Sequence, residues 1–352
     1  VCYMTNAWDF AVYGLVLAIF TFLINFQKNG LKSLIRTAFN GLLVIIFWYI
    51  FSFPFSLKFI PMMEGIKISD GHSPFYQLFI LYGGFWLICL PFIVKIIQLL
   101  FQKQFKKINY SHLFVFSLIT TATILIIIPE LIYIKDIYIY EHRRANTMFK
   151  LVYQAFILYS LAGGYILVNT SSLFKSVFKN FYKIIFALIF IIHLAYPYFA
   201  VKSYYDDLKQ YKGLDGLKYL KELYPDNYLT VLWINKNISG QPVILEAAGD
   251  SYTNFNHISS ATGLPTVQGW IVHEWLWRGG FYAPPPPQKN VDTIYNSNDL
   301  LEIKSLINKY QIKYIFVGAK EYEKYETLDP KKFENLGAKI IFHSGQTAIY
   351  QL

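Results

Sequence analysis

The first 200 residues contain six long apolar stretches that are separated by short polar segments. These stretches cover residues 8–26, 39–60, 77–100, 112–129, 148–168 and 181–200. Each has the ~20 residues that a helix needs to cross a hydrocarbon layer about 30 Å thick. Because lipid offers no hydrogen bonds to an exposed backbone, stretches this apolar are expected to be helices. The pattern therefore predicts a membrane α-helical bundle of about six transmembrane helices over residues 1–203.

After residue 203 the polar and apolar positions follow the shorter periods of a water-soluble domain. Helices are predicted at 213–219, 228–235 and 299–310, and strands at 242–247, 314–317, 339–342 and 348–352. The last two strands are close enough in sequence to form a hairpin. Alternating helices and strands predict a small α/β domain over residues 204–352.

One connection in this domain, residues 248–290, is unusually long. Loops of this length without secondary structure are functional or disordered as a rule. Trp270, Trp275 and Trp277 argue against disorder, and tryptophan is enriched at membrane–water interfaces. Residues 284–287 are all proline and predict a stiff polyproline segment. We expect this loop to lie on the outer membrane surface.

The loops between the apolar stretches alternate in charge. Three of them are rich in cations, which are Lys28, Lys32 and Arg36, then Lys103, Lys106 and Lys107, then Lys175, Lys179 and Lys183. The loops between these carry both acids and bases. Cationic flanks stay on the cytoplasmic side, so the alternation predicts that the mixed loops and the tail are extracytoplasmic. The expected location is the plasma membrane.

The net charge of +10 is concentrated in the membrane half of the chain. Residues 1–203 hold 17 Lys and Arg against 6 Asp and Glu, a balance of +11, and the remaining residues hold 15 against 16, a balance of −1. A nucleic-acid-binding protein would carry its excess on an accessible folded face. Here the excess lies in short loops between helices, so nucleic acid is excluded as a partner and membrane lipid is expected instead.

Several polar residues of the membrane half are predicted to share the outer face. They are Asp9, Arg143, Arg144, Asn146 and Lys150. A cationic cluster at this level suits a lipid phosphate, because arginine pairs with two oxygens at once and lysine supplies a point charge. The alternatives are that Asp9 caps its helix and that Glu141 neutralises an arginine in an interfacial anchor.

In the tail the residues that suggest chemistry are acids, aromatic side chains and one arginine. Glu246, Glu274 and His273 are candidate catalytic residues, and Tyr252, Trp270, Trp275, Trp277 and Arg278 are candidate substrate-binding residues. A carboxylate activates a hydroxyl group as a general base, while aromatic faces stack on sugar rings. His273 and Glu274 begin a zinc-protease motif, but Trp277 stands where its second histidine belongs. No metal site and no cofactor are therefore expected. Local pairing of His273 with Glu274 is the structural alternative.

These motifs resemble the YYY family of prokaryotic membrane proteins, which contain domain of unknown function 2298. The similar segments are 8–9, 146–150, 246–247, 251–252, 262–266, 269–270, 273–274, 277–279, 294–295 and 313–318. His257 departs from the family, which carries an arginine there. The resemblance implies further spans before residue 1, so that this chain would be a C-terminal fragment. The family in turn is similar to the GT-C class of polytopic glycosyltransferases, which use polyprenyl-phosphate sugars at the outer membrane face.

The resemblance thus implies inverting, metal-independent glycosyl transfer. Arg143, Arg144, Lys150 and Arg278 would bind the phosphate, and Glu246, Glu274 or Asp9 would act as base. Two other functions remain open, a lipid or small-molecule transporter (a flippase, for example) and a non-catalytic envelope assembly protein. A transporter would be expected to show repeated broken helices and charges at mid-membrane depth.

Overall fold

The computed structural model of the chain describes residues 1–59, 63–102, 104–136, 138, 142–169, 176–209, 213–277 and 287–352. For Leu31, Ser176, Val177, Asp206, Trp275 and Trp277 it describes the backbone alone. Within these residues, contacts divide the chain into two compact units. The first comprises Val1–Phe59 with Met63–Lys209, and the second extends to Leu352 from residue 213, the first described residue of the tail.

The first unit contains six helices that are long and apolar enough to cross a membrane. We number them spans 1 to 6, and they are Ala7–Asn29, Ser33–Ser56, Phe75–Phe101, Tyr110–Leu131, Ala145–Val168 and Phe178–Tyr205. Each predicted stretch falls on one of these helices, so the predicted membrane bundle is confirmed.

Spans 3, 4 and 5 form the core of this bundle. Their fully buried side chains include Cys89, Phe92, Leu113, Ala155 and Ala162, each 0% exposed. Small residues at such positions let helix backbones approach closely. In contrast, the most apolar windows of spans 2 and 6 are only 6% and 0% buried. Their exposed side chains are apolar, as expected for surfaces that contact lipid tails.

Two short strands, which the sequence pattern did not predict, join the loops at one end of the bundle. β1 (Ile66–Ile68) pairs in antiparallel register with β2 (Ile132–Ile134). The loop after span 2 is thereby attached to the segment after span 4. Three residues per strand are too few to leave a period-2 pattern in the sequence.

The second unit contains a four-stranded mixed sheet. Its strands are β3 (Val243–Leu245), β4 (Ile312–Val317), β5 (Lys339–Ser344) and β6 (Thr347–Gln351), in the order β3-β4-β6-β5. β3 and β4 are parallel, and the other two pairs are antiparallel. Thr266 adds a parallel bridge to Ile244 at the β3 edge. The predicted strands and the final hairpin are confirmed.

Eight helices surround this sheet in the part of the tail that the structure describes. They are Lys218–Leu223, Pro225–Asn237, His257–Thr262, Ile271–Trp277, Gln288–Asn296, Leu300–Tyr310, Ala319–Lys324 and Lys331–Asn335. The predicted helix at 299–310 is confirmed, and Asp299 caps it by accepting the N–H groups of Leu301 and Glu302. The predicted class, an apolar bundle followed by a small α/β domain, is also confirmed.

Two local predictions are wrong. A helix at 213–219 does not form, because Gly213 has φ +89° and Asp215 accepts the N–H of Leu217 in a turn, so the helix begins at Lys218. The connection at 248–290 is not structureless either. It contains the helices His257–Thr262 and Ile271–Trp277 and the start of a third. Helices of six or seven residues carry too few apolar positions for their period to be recognised. The predicted polyproline segment lies mostly outside the described residues.

Candidate functional site

Arg144, predicted to bind a substrate phosphate, is instead paired within the protein. Its Nη1 donates to Oε2 of Glu130 over 2.7 Å, and its Nη2 donates to Oγ of Ser73 over 3.1 Å. The backbone N–H and the hydroxyl of Ser73 also donate to Glu130, over 2.6 and 2.9 Å. The side chains of Arg144 and Glu130 are only 21% and 13% exposed. This cluster ties together the starts of spans 3 and 5 and the end of span 4.

Two more of the predicted substrate-binding residues have internal partners. Arg143 Nη2 lies 2.9 Å from Oδ2 of Asp70, in a pair that is open to solvent on both sides. Asn146 Nδ2 donates to Oδ2 of Asp136 over 2.8 Å. Lys150 differs from these, because it forms no ion pair among the described residues and is half-buried near the start of span 5.

Asp9 lies in the first turn of span 1 and faces span 5. Its Oδ1 accepts a hydrogen bond from Nε2 of Gln154 over 3.2 Å, and the other end of that amide, Oε1, accepts one from the hydroxyl of Tyr13 over 3.1 Å. Lys150 and Gln154 are four residues apart on one helix, so their Cβ atoms are ~5–6 Å apart on the same face. Asp9 and Lys150 therefore lie on facing sides of spans 1 and 5, near the helix ends.

An apolar cavity lies next to this pair of helices. It measures about 170 Å³, and its wall includes Trp8, Val12, Ile66, Tyr133 and Leu151. The two-stranded sheet of β1 and β2 supplies one side of it. Its described lining includes Trp8 and Leu151, the sequence neighbours of Asp9 and Lys150, and not those two residues themselves.

In the tail, Glu246 occupies a structural position. It follows β3, is 2% exposed, and accepts the backbone N–H groups of Ile258 and Ser259 on its two oxygens, both over 3.0 Å. It therefore caps the helix His257–Thr262, whose first N–H groups have no partner within the helix. Burial raises the pKa of Glu246, although hydrogen bonds from Ser259, Ile258 and Asn256 lower it. With both oxygens committed, Glu246 is poorly placed to take a proton from a substrate.

A second buried carboxylate was missed by sequence reasoning. Glu321 accepts the N–H of Ala247 over 2.7 Å and the N–H of Gly318 over 3.0 Å, so it joins the ends of β3 and β4. Burial, together with the charge of Glu246, raises the pKa of Glu321 to about 8. The sequence gives no sign of this, because Glu321 stands in a polar segment that is typical of a solvated helix.

A cavity of about 510 Å³ lies among the predicted tail residues. Its described lining consists of Tyr219, Asn256, Ser259, Ser260, Gly269, Trp270, His273 and Glu274. Three of these, Trp270, His273 and Glu274, are predicted site residues. The other lining residues are positioned by segments next to β3. Glu246 caps the helix that carries Ser259 and Ser260. Thr266, which forms the parallel bridge to β3, comes shortly before Gly269 in sequence. Ligands of open α/β sheets bind at the carboxyl ends of such strands.

Trp270 and His273 line this cavity, and Tyr252 contacts both of them from outside the described lining. Trp270 Nε1 donates to the carbonyl oxygen of Phe255 over 3.1 Å. The rings of Tyr252, Trp270 and His273 lie 5.3–5.6 Å apart in edge and tilted contacts. Glu274 Oε1 lies 3.4 Å from the backbone N of Gly269. The side chains of Trp275 and Trp277, and the whole of Arg278, lie outside the described residues, so their predicted roles stay predictions.

Sequence reasoning also missed the polar residues that complete this cavity. Asn256 has left-handed backbone angles (φ +60°), which are uncommon outside glycine, and Tyr252 shares them (φ +63°). The carbonyl oxygens Oδ1 of Asn256 and Oε1 of Gln268 are buried and accept no hydrogen bond from any described residue. The pattern of isolated Asn, Ser and Gln in a predicted loop was the available signal, but it does not tell a turn from a site.

His257, where the resemblance leads us to expect an arginine, is a core residue. It is 3% exposed and stacks on Tyr224 with ring centres 5.5 Å apart. Its Nδ1 lies 2.6 Å from the carbonyl of Asn254, and its Nε2 lies 2.8 Å from Nδ2 of Asn227, which identifies Nδ1 as the protonated nitrogen. Burial lowers its pKa. His257 is therefore neutral and takes no direct part in anion binding.

The six spans and the apolar surface define an integral, multi-pass membrane protein with a small α/β tail. The family described as uncharacterized membrane protein (DUF2298) matches residues 1–113 and 87–159, which lie in the membrane half. This match confirms, for the membrane half of the chain, the resemblance to that family that the motifs predicted. No curated protein matches the chain.

Proposed function

We propose that the protein transfers a sugar from a polyprenyl-phosphate donor to a hydroxyl acceptor at the extracytoplasmic face of the plasma membrane. The observation that carries this proposal is the placement of Asp9 and Lys150 on facing sides of spans 1 and 5. Such a reaction needs a base, a site for the phosphate and a space for the lipid. The carboxylate of Asp9 would serve as the base, the cation of Lys150 would bind the phosphate, and the apolar cavity lined by both helices would hold part of the lipid.

The reaction is a single displacement with inversion. The acceptor oxygen forms a bond to the anomeric carbon while the bond from that carbon to the phosphate oxygen breaks. The bonding electrons leave with the polyprenyl phosphate, whose negative charge Lys150 stabilises. The proton of the acceptor hydroxyl passes to the carboxylate of Asp9, acting as general base. Every atom is accounted for without a metal or a cofactor.

Among the three candidate bases, Asp9 has the environment that suits the role. Glu246 uses both oxygens to cap a helix, and Glu274 lies in the tail cavity. Asp9 keeps Oδ2 available for an acceptor, since among the described residues only Oδ1 accepts a hydrogen bond. The hydrogen-bond partner of Asp9, Gln154, is neutral and does not offset the negative charge of the carboxylate.

The charge alternation of the loops supports the proposed orientation. Arg144 and Glu130 would then lie at the outer ends of their spans, together with Asp9 and Lys150. The contacts of these residues join the starts of spans 1, 3 and 5 at one end of the unit. Membrane lipid and a lipid-linked sugar are the proposed partners.

Transfer of labelled sugar from polyprenyl-phosphate donors, measured in membranes that contain the full chain, tests the proposal. Asp9→Asn is expected to reduce the rate by ~10²–10⁴-fold, the usual contribution of a general base. Lys150→Met should raise the donor concentration needed for half-maximal rate. The matched controls Asp70→Asn and Lys67→Met remove exposed charges of the same signs and should retain transfer.

Turnover that survives both Asp9→Asn and Lys150→Met would overturn the proposed site. A separate pair of changes, Arg278→Ala with Glu274→Ala, tests whether the tail shares in the chemistry. If that double variant retains wild-type turnover, the phosphate role of Arg278 and the base role of Glu274 are excluded.

A further inference from the structure

We infer that the tail carries its own binding site for a neutral saccharide, in the cavity of about 510 Å³ lined by Trp270 and Glu274. The volume lies in the ~300–1,000 Å³ range of small-molecule sites. The biological role of this site rests on the proposed function, because it would hold a sugar that the membrane unit transfers. Binding itself does not require transfer.

The lining distinguishes a saccharide from other small ligands. Among the described residues it offers the indole of Trp270 and a ring of groups that exchange hydrogen bonds, namely Tyr219, Asn256, Ser259, Ser260, His273 and Glu274. A sugar ring presents an apolar face of C–H groups and a rim of hydroxyls. Those two surfaces match an indole plane bordered by hydroxyl, amide and carboxylate groups.

The charge of the described lining disfavours an anionic ligand. No lysine or arginine is among the described lining residues, and the one acid, Glu274, would repel a phosphate or a carboxylate. A neutral polyol instead donates hydroxyl protons to a carboxylate, in hydrogen bonds of the stronger, charge-assisted kind. The phosphate of a lipid-linked sugar is thus not expected to lie in this cavity.

An unpartnered acceptor supplies a second, independent observation. Asn256 lines the cavity and is only 7% exposed, yet its Oδ1 accepts no hydrogen bond from the described residues. A buried polar atom without a partner costs about 1–3 kcal/mol. Its Nδ2 donates to the backbone carbonyl of Gln268 over 2.8 Å, which fixes the direction of the amide. Oδ1 is covered in the absence of a ligand, and a hydroxyl that reached it from the cavity would complete the hydrogen bonding of Asn256.

The site is formed before any ligand arrives. Glu246 caps the helix that carries Ser259 and Ser260, and Trp270 is held by its hydrogen bond to Phe255. Little side-chain freedom remains to be lost on binding, and rigid sites lose less free energy in this way. Even weak polar contacts can then give measurable affinity.

The test uses the purified full chain in lipid nanodiscs and a panel of methyl glycosides of glucose, galactose, mannose and N-acetylglucosamine. Ligand-observed saturation-transfer NMR reports binding. At least one glycoside is expected to bind saturably, with affinity reduced at least tenfold in Trp270→Ala and in Glu274→Gln. Trp233→Phe, a change to a tryptophan that packs on Phe342 away from the cavity, should bind as the wild type does.

Glu274→Gln keeps the side-chain shape, so the test does not depend on how Trp270→Ala folds. Saturable binding of a free glycoside assigns the cavity to an acceptor sugar. A second measurement, hydrogen exchange of the cavity peptides, is made with the polyprenyl-phosphate sugar in the nanodisc. If that ligand protects the peptides and no free glycoside binds, the cavity holds the donor sugar. The inference is overturned if neither ligand binds, if both cavity variants bind as the wild type, or if inorganic phosphate competes for the site.

The two proposals fail in different ways. Asp9→Asn should abolish transfer and leave saccharide binding intact. Transfer without binding in the cavity would contradict the inference about the tail alone. Saccharide binding without any transfer would contradict the proposed reaction alone.

Discussion

Arg144 and Glu130 form a largely buried ion pair, with Nη1 and Oε2 2.7 Å apart, that fastens the start of span 5 to the end of span 4. Removing one partner would leave the other charge without compensation. We therefore expect Arg144→Met to lower the free energy of unfolding of the membrane unit by about 3 kcal/mol, the lower part of the range for broken buried pairs. Thermal unfolding in detergent measures the loss.

Arg143 supplies the matched control for this prediction. Its partner is Asp70, and the two side chains are 46% and 67% exposed, so Arg143→Met should cost at most about 1 kcal/mol. The double variant Arg144→Met with Glu130→Gln should recover much of the loss. Equal destabilisation by the two single arginine changes would contradict the structural role of Arg144.

Gln154 fixes the direction of the Asp9 carboxylate, since its amide is held at both ends. Gln154→Leu is expected to lower the turnover rate about tenfold, with little change in the half-saturating donor concentration, because displacement of a reacting group by ~1 Å is costly. Tyr13→Phe removes the hydrogen bond to Oε1 of Gln154 but keeps the amide itself, so it should lower the turnover rate less. Ser160→Ala, on an exposed face of the same span, is the control. A loss in donor affinity with unchanged turnover would argue against a positioning role.

The tail should lose stability as the pH rises. Burial raises the pKa of Glu321 to about 8 from an ordinary value of 4.5, so the folded state retains a proton that the unfolded chain releases. The stabilisation is complete below pH 4.5 and is lost as the pH passes through about 8. Glu321→Gln cannot ionise and should flatten this slope.

Hydrogen–deuterium exchange of the β3 and β4 peptides, corrected for intrinsic rates, measures this dependence in the full chain. The exposed Glu326 offers a matched change, Glu326→Gln, which should keep the wild-type slope. If Glu321→Gln and the wild type depend on pH to the same extent, titration of Glu321 is not the cause.

Gly269→Ala tests the geometry of the tail cavity. A Cβ atom at this position would lie 3.1 Å from Oε1 of Glu274 and would push the carboxylate out of place. We expect saccharide affinity to fall several-fold while the melting temperature changes little, because the contacted atom is the end of a flexible side chain. Gly216→Ala, where a Cβ meets nothing within 4 Å, should leave affinity unchanged. Unaltered binding in Gly269→Ala would place the ligand away from Glu274.

The membrane half could be predicted from sequence because its elements are set by a single physical requirement. A stretch of ~20 apolar residues has no stable state in lipid other than a helix. The final hairpin was also predictable, since its strands are adjacent in sequence. The helix His257–Thr262 was not, because it depends on a cap from Glu246, a residue that precedes it by a whole loop.

The roles of individual residues were harder to predict, since a charge in a sequence does not identify its partner. Arg144 is near Glu141 in sequence, but its partner in the structure is Glu130. Glu246 has the side chain of a general base, but the structure shows that both of its oxygens accept backbone hydrogen bonds. Asn256 entered no prediction, because only its left-handed backbone and its position beside Gln268 make it part of a cavity.

The low burial of span 6 determines which substitutions this helix can accept during evolution. The most apolar window of this span contains no buried residue. Its side chains need to be apolar but do not need a particular shape, so exchanges among leucine, isoleucine and phenylalanine should be neutral at most positions. Exceptions are Tyr182, which is 3% exposed and donates its hydroxyl to the carbonyl of Ile88, and the place where a Cβ on Gly84 would lie 2.8 Å from His193 and 3.2 Å from Ile189. There, mutational tolerance should drop sharply, and substitutions at Gly84 should require compensating changes on span 6.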